Sequence, residues 1–271
     1  MVRPRSILSL GLLLLAGTAS AQKATFEIAS VKPNVSGKEG GTFGPRGDGF
    51  FATNVTLENL LLYAYAPAGG LLLRPQILGG PEWIKSDHFD IEAKATAAPR
   101  EQTKIMLQSL LEDRCGLKVH KETRDLPVYN LVLIKNGPKL SEDQSPPDPR
   151  QGFIEFASPG QEVKPLPRGA IRMTTGPSTT TLAGRAILIS RVVSLLQSKA
   201  DRMVFDKTGF TGLMDIQLEF SPDFATASPT AETSSAPSLF TAIQEIGLKL
   251  DSAKAPLEVL VIESVHKPSE N

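Results

Sequence analysis

The chain has 271 residues, with 29 Lys and Arg against 29 Asp and Glu, and 41% of it is hydrophobic. That balance excludes the basic excess that nucleic acid or an anionic membrane surface selects. The apolar content is ordinary for a chain that buries a core, and a single cysteine, Cys115, excludes an internal disulfide.

Arg3 and Arg5, the apolar run Ile7 to Ala16 and the small-x-small triplet Ala19-Ser20-Ala21 read as a secretory signal peptide over residues 1–21. The apolar run is too short to span a bilayer. Cleavage before Gln22 would leave 27 basic and 29 acidic residues. No later stretch reaches the roughly 18 apolar residues of another membrane span. The mature protein is therefore expected to be exported, periplasmic or extracellular, with no span left after cleavage.

Phe26, Ile28 and Val31 alternate with polar residues and predict a strand ending at Pro33. Gly37 to Gly49 has no apolar period and reads as a flexible loop. Phe50-Phe51-Ala52 predicts a short strand. Thr56 is placed to cap a helix whose buried face is Leu57, Leu60, Leu61 and Ala64. Gly79-Gly80-Pro81 predicts a turn, Trp83 and Ile84 a core plug, and Phe89 to Ala93 a strand. A second helix is expected from Pro99, with Ile105, Leu107, Leu110 and Leu111 as its apolar face and Gly116 as its stop. Cys115, at the end of that helix, reads as a small buried hydrophobe. Leu117 to Thr123 and Val128 to Lys135 predict two strands separated by a bend at Asp125-Leu126-Pro127, and Asn136-Gly137 a turn.

Ser141 to Pro167 carries six prolines and few apolar residues, so it reads as a linker or surface loop. Beyond it come a strand at Ala170 to Thr175, a helix bearing Val192, Val193, Leu195 and Leu196, a short strand Met203-Val204-Phe205 and an alternating strand Leu213 to Phe220. Ser221 to Pro237 is rich in Ser, Thr, Ala and Pro and is expected to be a disordered insert. A short helix at Leu239, the break Gly247-Leu248-Lys249-Leu250, a bend at Pro256 and the strand Leu257 to Ile262 end the pattern.

Gly116-Leu117-Lys118-Val119 parallels Gly247-Leu248-Lys249-Leu250, and Pro127-Val128 parallels Pro256-Leu257. Asp90-Ile91 more weakly parallels Asp215-Ile216. The expected fold is α+β, in two related halves at residues 22–140 and 169–271 joined by the Pro-rich segment 141–168. Each half would pack helices on a mixed or antiparallel sheet built from β-α-β and α-β-β units.

Local motifs carry little chemistry. His88, His120 and His266 lack any metal-ligand spacing, so no metal or cofactor is expected. Asp206-Lys207-Thr208-Gly209 lacks the Thr that would follow in a phosphorylated-aspartate motif and reads as a turn. Arg46-Gly47-Asp48 reads as part of a glycine-rich loop. Tyr63, Tyr65 and Trp83 cluster in sequence beside two Gly-Gly pairs, where they either line a groove for a peptide or glycan or pack into a core. His120 is the fourth candidate binding residue. A site assembled from Asp87, His88 and His120 would instead be hydrolytic.

Taken together, the run from Phe26 to Asn34, Thr56-Leu57 with Ala64-Tyr65, Gly80-Pro81 with Trp83-Ile84, Asp87 with Phe89-Asp90, His120 with Glu122-Thr123, Pro127-Val128-Tyr129, Asp206 with Thr208-Gly209, and Gly247 to Leu250 resemble an exported family of unknown function abundant in acidobacterial genomes. The resemblance covers nearly all of the mature chain. Cys115 departs from it, since the family pattern has Phe there. Similar domains are appended to antirepressor-type membrane metallopeptidases, which implies an extracytoplasmic sensing or binding module. The helix–strand units also look somewhat like the small N-terminal domains of secretins and TonB-dependent receptors, an analogy of fold alone. The resulting expectation is a non-catalytic envelope protein that binds a partner protein, a peptide or a glycan. The alternative is an extracytoplasmic hydrolase.

Overall fold

The computed structural model describes residues 24–38, 40–95, 102–134, 137–146, 154–160, 164–176, 178–221 and 236–268. The expected signal peptide, the expected helix start at Pro99 and nearly all of the expected insert after Ser221 lie outside the described residues. The fold is α+β, with three four-stranded sheets and five helices.

The first sheet contains β1 (Ile28–Pro33), β5 (His88–Lys94), β3 (Gly49–Thr56) and β2 (Thr42–Arg46) in that order, all antiparallel. The expected flexible loop therefore contains a strand. Thr42 to Arg46 folds back on Gly49 to Thr53, and Phe43 lodges against Phe50 and Tyr63. A glycine-rich strand with an open neighbour has no period to read, but it still gains ladder hydrogen bonds once that neighbour is present.

Against this sheet pack α1 (Leu57–Ala64), α2 (Trp83–Ser86) and α3 (Thr103–Cys115). Thr56 caps α1, its hydroxyl accepting from the Asn59 N–H at 3.2 Å. Leu57, Leu60, Leu61 and Ala64 are buried as the period requires. In α3 the buried stripe is Met106, Leu107, Leu110 and Leu111, while Ile105 is exposed. Residues two apart do not share a helix face, so Ile105 cannot join Leu107. Cys115 is buried beneath the end of α3, and burial pushes its thiol up to about 11.

The third sheet orders β11 (Leu213–Phe220), β9 (Thr180–Leu188), β8 (Ile171–Thr175) and β7 (Ile154–Ala157). β7 runs parallel to β8 and lies inside the segment expected as a linker. Helices α4 (Ile189–Gln197) and α5 (Leu239–Ala242) close a second core with this sheet.

The central sheet joins the two cores. β6 (Lys118–Leu133) and β12 (Leu248–Ser264) pair antiparallel along nearly their whole length, from Lys118 opposite Ser264 to Leu133 opposite Leu248. β10 (Val204–Asp206) runs parallel to β6 on one side, and β4 (Ile77–Gly79) parallel to β12 on the other. Leu260 and Ile262 of β12 enter the first core, whereas Leu131 of β6 and Leu248 of β12 enter the second.

The two bends expected at Pro127 and Pro256 do not occur, because both prolines sit inside continuous strands. The Tyr129 N–H donates outward to Met203, and the Leu131 carbonyl accepts outward from Lys207. By strand alternation Pro127 also points outward, beyond the end of β10, where no ladder bond is asked of it. On β12 the Glu258 carbonyl faces outward to the Gln76 amide at 2.9 Å, so Pro256 is outward too. A proline without an N–H is tolerated in a long strand only at such positions.

Two runs of the chain follow similar orders of elements, β3-α1-β4-α2-β5-α3-β6 and β9-α4-β10-β11-α5-β12, the first with the additional short helix α2. In each, an antiparallel strand pair, β3 with β5 and β9 with β11, has a bulge with one left-handed residue, Asn54 at φ 56° and Ala186 at φ 48°. Gly247, at φ 78°, admits no side chain, since a Cβ would come within 2.3 Å of the Gly137 backbone.

Leu131→Ala should cost about 2–5 kcal/mol by leaving a cavity in the second core. Trp83 is the sole tryptophan and packs on the first core, so its fluorescence reports the other end of the ladder. The expected outcome is a drop of the Trp83 unfolding midpoint together with the circular-dichroism midpoint; an unchanged Trp83 midpoint would mean that the cores unfold separately. Cys115 should resist a thiol reagent at pH 8 in the native protein and react fully once the chain is unfolded in urea.

Candidate functional site

A concavity at one end of the first sheet is organised by Asn34, the last residue of the Phe26 to Asn34 run. The Asn34 N–H donates to the His88 carbonyl at 2.8 Å, which extends the β1–β5 pairing by one bond. The Asn34 side-chain amide donates to Asp90 Oδ1 at 2.7 Å. Its carbonyl oxygen accepts from the Ser36 N–H at 3.0 Å and the Ser36 hydroxyl at 2.6 Å. Both ends of the side chain are thus fixed.

Asp90 Oδ1 also accepts from the backbone N–H of Asn54 at 2.8 Å. Asn54 is the left-handed residue of the bulge, a conformation that Asn adopts more readily than most side chains. Its amide reaches back to the Lys38 and Gly40 carbonyls at 2.8 and 2.6 Å. Asp90 therefore holds three pieces of chain together: the end of β1, the loop after it and the bulge of β3. In the third sheet Asp215 Oδ1 accepts from the Ala186 N–H at 2.7 Å at the corresponding bulge.

Asn34 divides two openings. One, of about 490 Å³, is lined by Ser36, Lys38, Thr42, Thr53 and Asn54. The other, of about 460 Å³, is lined by Val35, Asp87, His88, Phe89 and Lys267. These volumes are those of small-ligand sites. Lys267 pairs with Asp87 at 2.6 Å, and that hydrogen bond holds the Asp87 carboxyl below its ordinary range.

Tyr63, Tyr65 and Trp83, read as lining a groove or packing into a core, all pack against the first core. Tyr63 stacks edge-on to Phe43 at 5.6 Å and lies 5.7 Å from Phe50, with Lys104 above its ring. Tyr65 lines a nook of about 10 Å³ with Leu72 and Lys121, room for about one water. Burial first, then the Glu112 charge, push its phenol up to about 12. Trp83 packs edge-on to Phe89 at 6.2 Å and so backs the second opening from behind.

Asp87 and His88 line one opening, but His120 does not. His120 stands exposed on β6 and meets Glu263 of β12 at 2.7 Å. The set proposed for hydrolysis is therefore not brought into one cleft. Asp206 accepts from the Thr208 N–H and hydroxyl at 2.9 and 2.6 Å, which is the expected turn. Among the described residues, no three His, Cys, Asp or Glu side chains come together as a metal site. No described helix is long and apolar enough to cross a membrane, a statement that does not bear on β-barrels. Asn34, Asn54 and Lys267 escape sequence reasoning because their partners are distant in the chain. The one signal available is the family-like run that Asn34 ends.

Asp90→Ala should cost about 1–3 kcal/mol, since it releases both the Asn54 N–H and the Asn34 amide, and Asp215→Ala about half of that. Urea unfolding of the two variants beside the wild type checks the order.

No curated protein and no solved structure matches this chain. The family described as "Protein of unknown function (DUF3738)" matches residues 58–265, a span that begins after the Phe26 to Asn34 run and includes the second core and most of the first. The chain belongs to the DUF3738 family of proteins of unknown function.

Proposed function

We propose that this protein is a non-catalytic binding module of the cell envelope, and that the cleft divided by Asn34 takes a hydroxyl-rich ligand, a glycan. The observation that carries this reading is the fixation of Asn34. Its amide and carbonyl are both committed to protein partners, so the wall between the two openings is set before any ligand arrives. A preorganised polar wall spares a ligand the entropy of ordering it. Around that wall, Thr42 and Thr53 offer hydroxyls, and Lys38 and His88 offer side-chain nitrogens. Hydroxyl-rich ligands need many directional partners of this kind.

Export is part of the proposal. It rests on the charged start, the ten-residue apolar run and the small-residue triplet before Gln22. The proposal also holds that the two runs of the chain descend from one doubled unit. The similar element order and the Asp-held bulges support this.

Two measurements test the reading. Mass spectrometry of protein recovered from the extracytoplasmic fraction should give Gln22 as the first residue; full-length protein confined to the cytoplasm would remove the envelope role. Calorimetric titration of the purified protein with soluble peptidoglycan fragments and neutral oligosaccharides should show saturable binding. His88→Ala and Lys38→Ala should each weaken it by roughly tenfold with the melting temperature unchanged. Binding of peptides alone, or of no sugar, overturns the glycan reading.

A further inference from the structure

The first and third sheets differ at one edge, and the difference leaves a strand-shaped vacancy. In the first sheet β1 covers the outer edge of β5: Val31 lies opposite Ile91, Ser30 opposite Glu92 and Ile28 opposite Lys94. In the third sheet the corresponding strand is β11, and the chain begins to cover it in the same way. The Ser141 N–H donates to the Leu213 carbonyl at 2.9 Å, as Asn34 does to His88, and Leu140 bridges Met214. The Asp215 N–H donates to Lys139. There the described pairing ends. Among the described residues no strand lies against this outer edge of β11 beyond Asp215.

The alternation set by Leu213 and Asp215 directs the N–H and C=O groups of Gln217 and Glu219 outward. These positions correspond to Glu92 and Lys94, which β1 engages; the Glu27 N–H, for example, donates to the Lys94 carbonyl at 2.9 Å. Where the covering chain diverges there is a cavity of about 510 Å³, lined by Gly137, Lys139, Asp215, Gln217, Glu245 and Ile246 among others. An open strand edge beside a pocket is the geometry of recognition by strand addition.

We infer that the outer edge of β11 from Asp215 to Glu219 binds an extended segment of another polypeptide, added antiparallel as a further strand of the third sheet. β1 on β5 shows the form the occupant takes. Its alternate residues facing the core are small and apolar, as Ala29 and Val31 are opposite Ala93 and Ile91. The residue opposite Glu219 is basic, because Glu219 stands where the first sheet has Lys94 and a cross-strand partner of opposite charge is favoured there. This site is separate from the Asn34 cleft and stands or falls without it.

The probe is a fluorescein-labelled octapeptide with the sequence of residues 24–31 bearing Ile28→Lys, titrated against the whole protein by anisotropy, with a scrambled peptide as control. Saturable binding of the ordered peptide, together with slowed deuterium exchange of the Gln217 and Glu219 amides, is the expected result. Glu219→Pro removes an outward donor that β9 does not use, so it should abolish binding and leave the melting curve in place. Glu219→Lys keeps the backbone and should move the preference to the same peptide bearing Ile28→Glu. Equal binding of the scramble, no saturation up to about 1 mM, or binding indifferent to both variants overturns the inference. A concentration-dependent dimer lost in Glu219→Pro also overturns it, by naming a second copy as the occupant.

Discussion

The antiparallel ladder between β6 and β12 is the constraint from which the rest of the molecule follows. It is longer than the typical strand pair, and each of its ends is a wall of a different core. The two small sheets are held in relation to one another because each is packed on an end of this ribbon. Its prolines, its short flanking strands and its glycine entry points all answer to the same rule. Backbone groups that face inward must pair, and those that face outward may be capped by β10 or β4 or left to solvent.

Much of the local structure was legible. Helix faces at Leu57 to Ala64 and at Val192 to Leu196 follow from apolar spacing alone, and Thr56 marks its helix start through one hydroxyl. Pro127 and Pro256 were misread because proline reports a missing N–H without reporting which way that N–H would have pointed. The two look equivalent, yet they are 129 residues apart. Tyr129 and Leu260, which sit opposite the first residues of β10 and β4, are 131 apart. A slip of two residues keeps the same strand parity, so each proline still faces outward. Composition also hid β2 and β7, whose strand character comes from a neighbour and not from their own residues.

The Asn34 cleft was less legible for a related reason. Asn34 and Asp90 are 56 residues apart, and Asn54 and Asp90 are 36 apart. No spacing rule joins an amide, a carboxylate and a left-handed backbone position over such separations. The three become one feature only when β1, β3 and β5 are side by side. The left-handed backbone at Asn54 is held by bonds on three sides, in keeping with strain that persists only where its surroundings over-determine it.

The central ribbon also fixes the order in which the molecule can be completed during synthesis. His120 and Glu263 face each other across it, yet 143 residues separate them in the chain. β12 follows every other described element, and without its Leu248, Leu260 and Ile262 neither hydrophobic interior is closed. Loop closure over such a distance must precede the contacts that reward it, which makes folding slow. A nascent chain therefore carries two open interiors until its final strand has emerged, and whatever chaperones it must shield both until then.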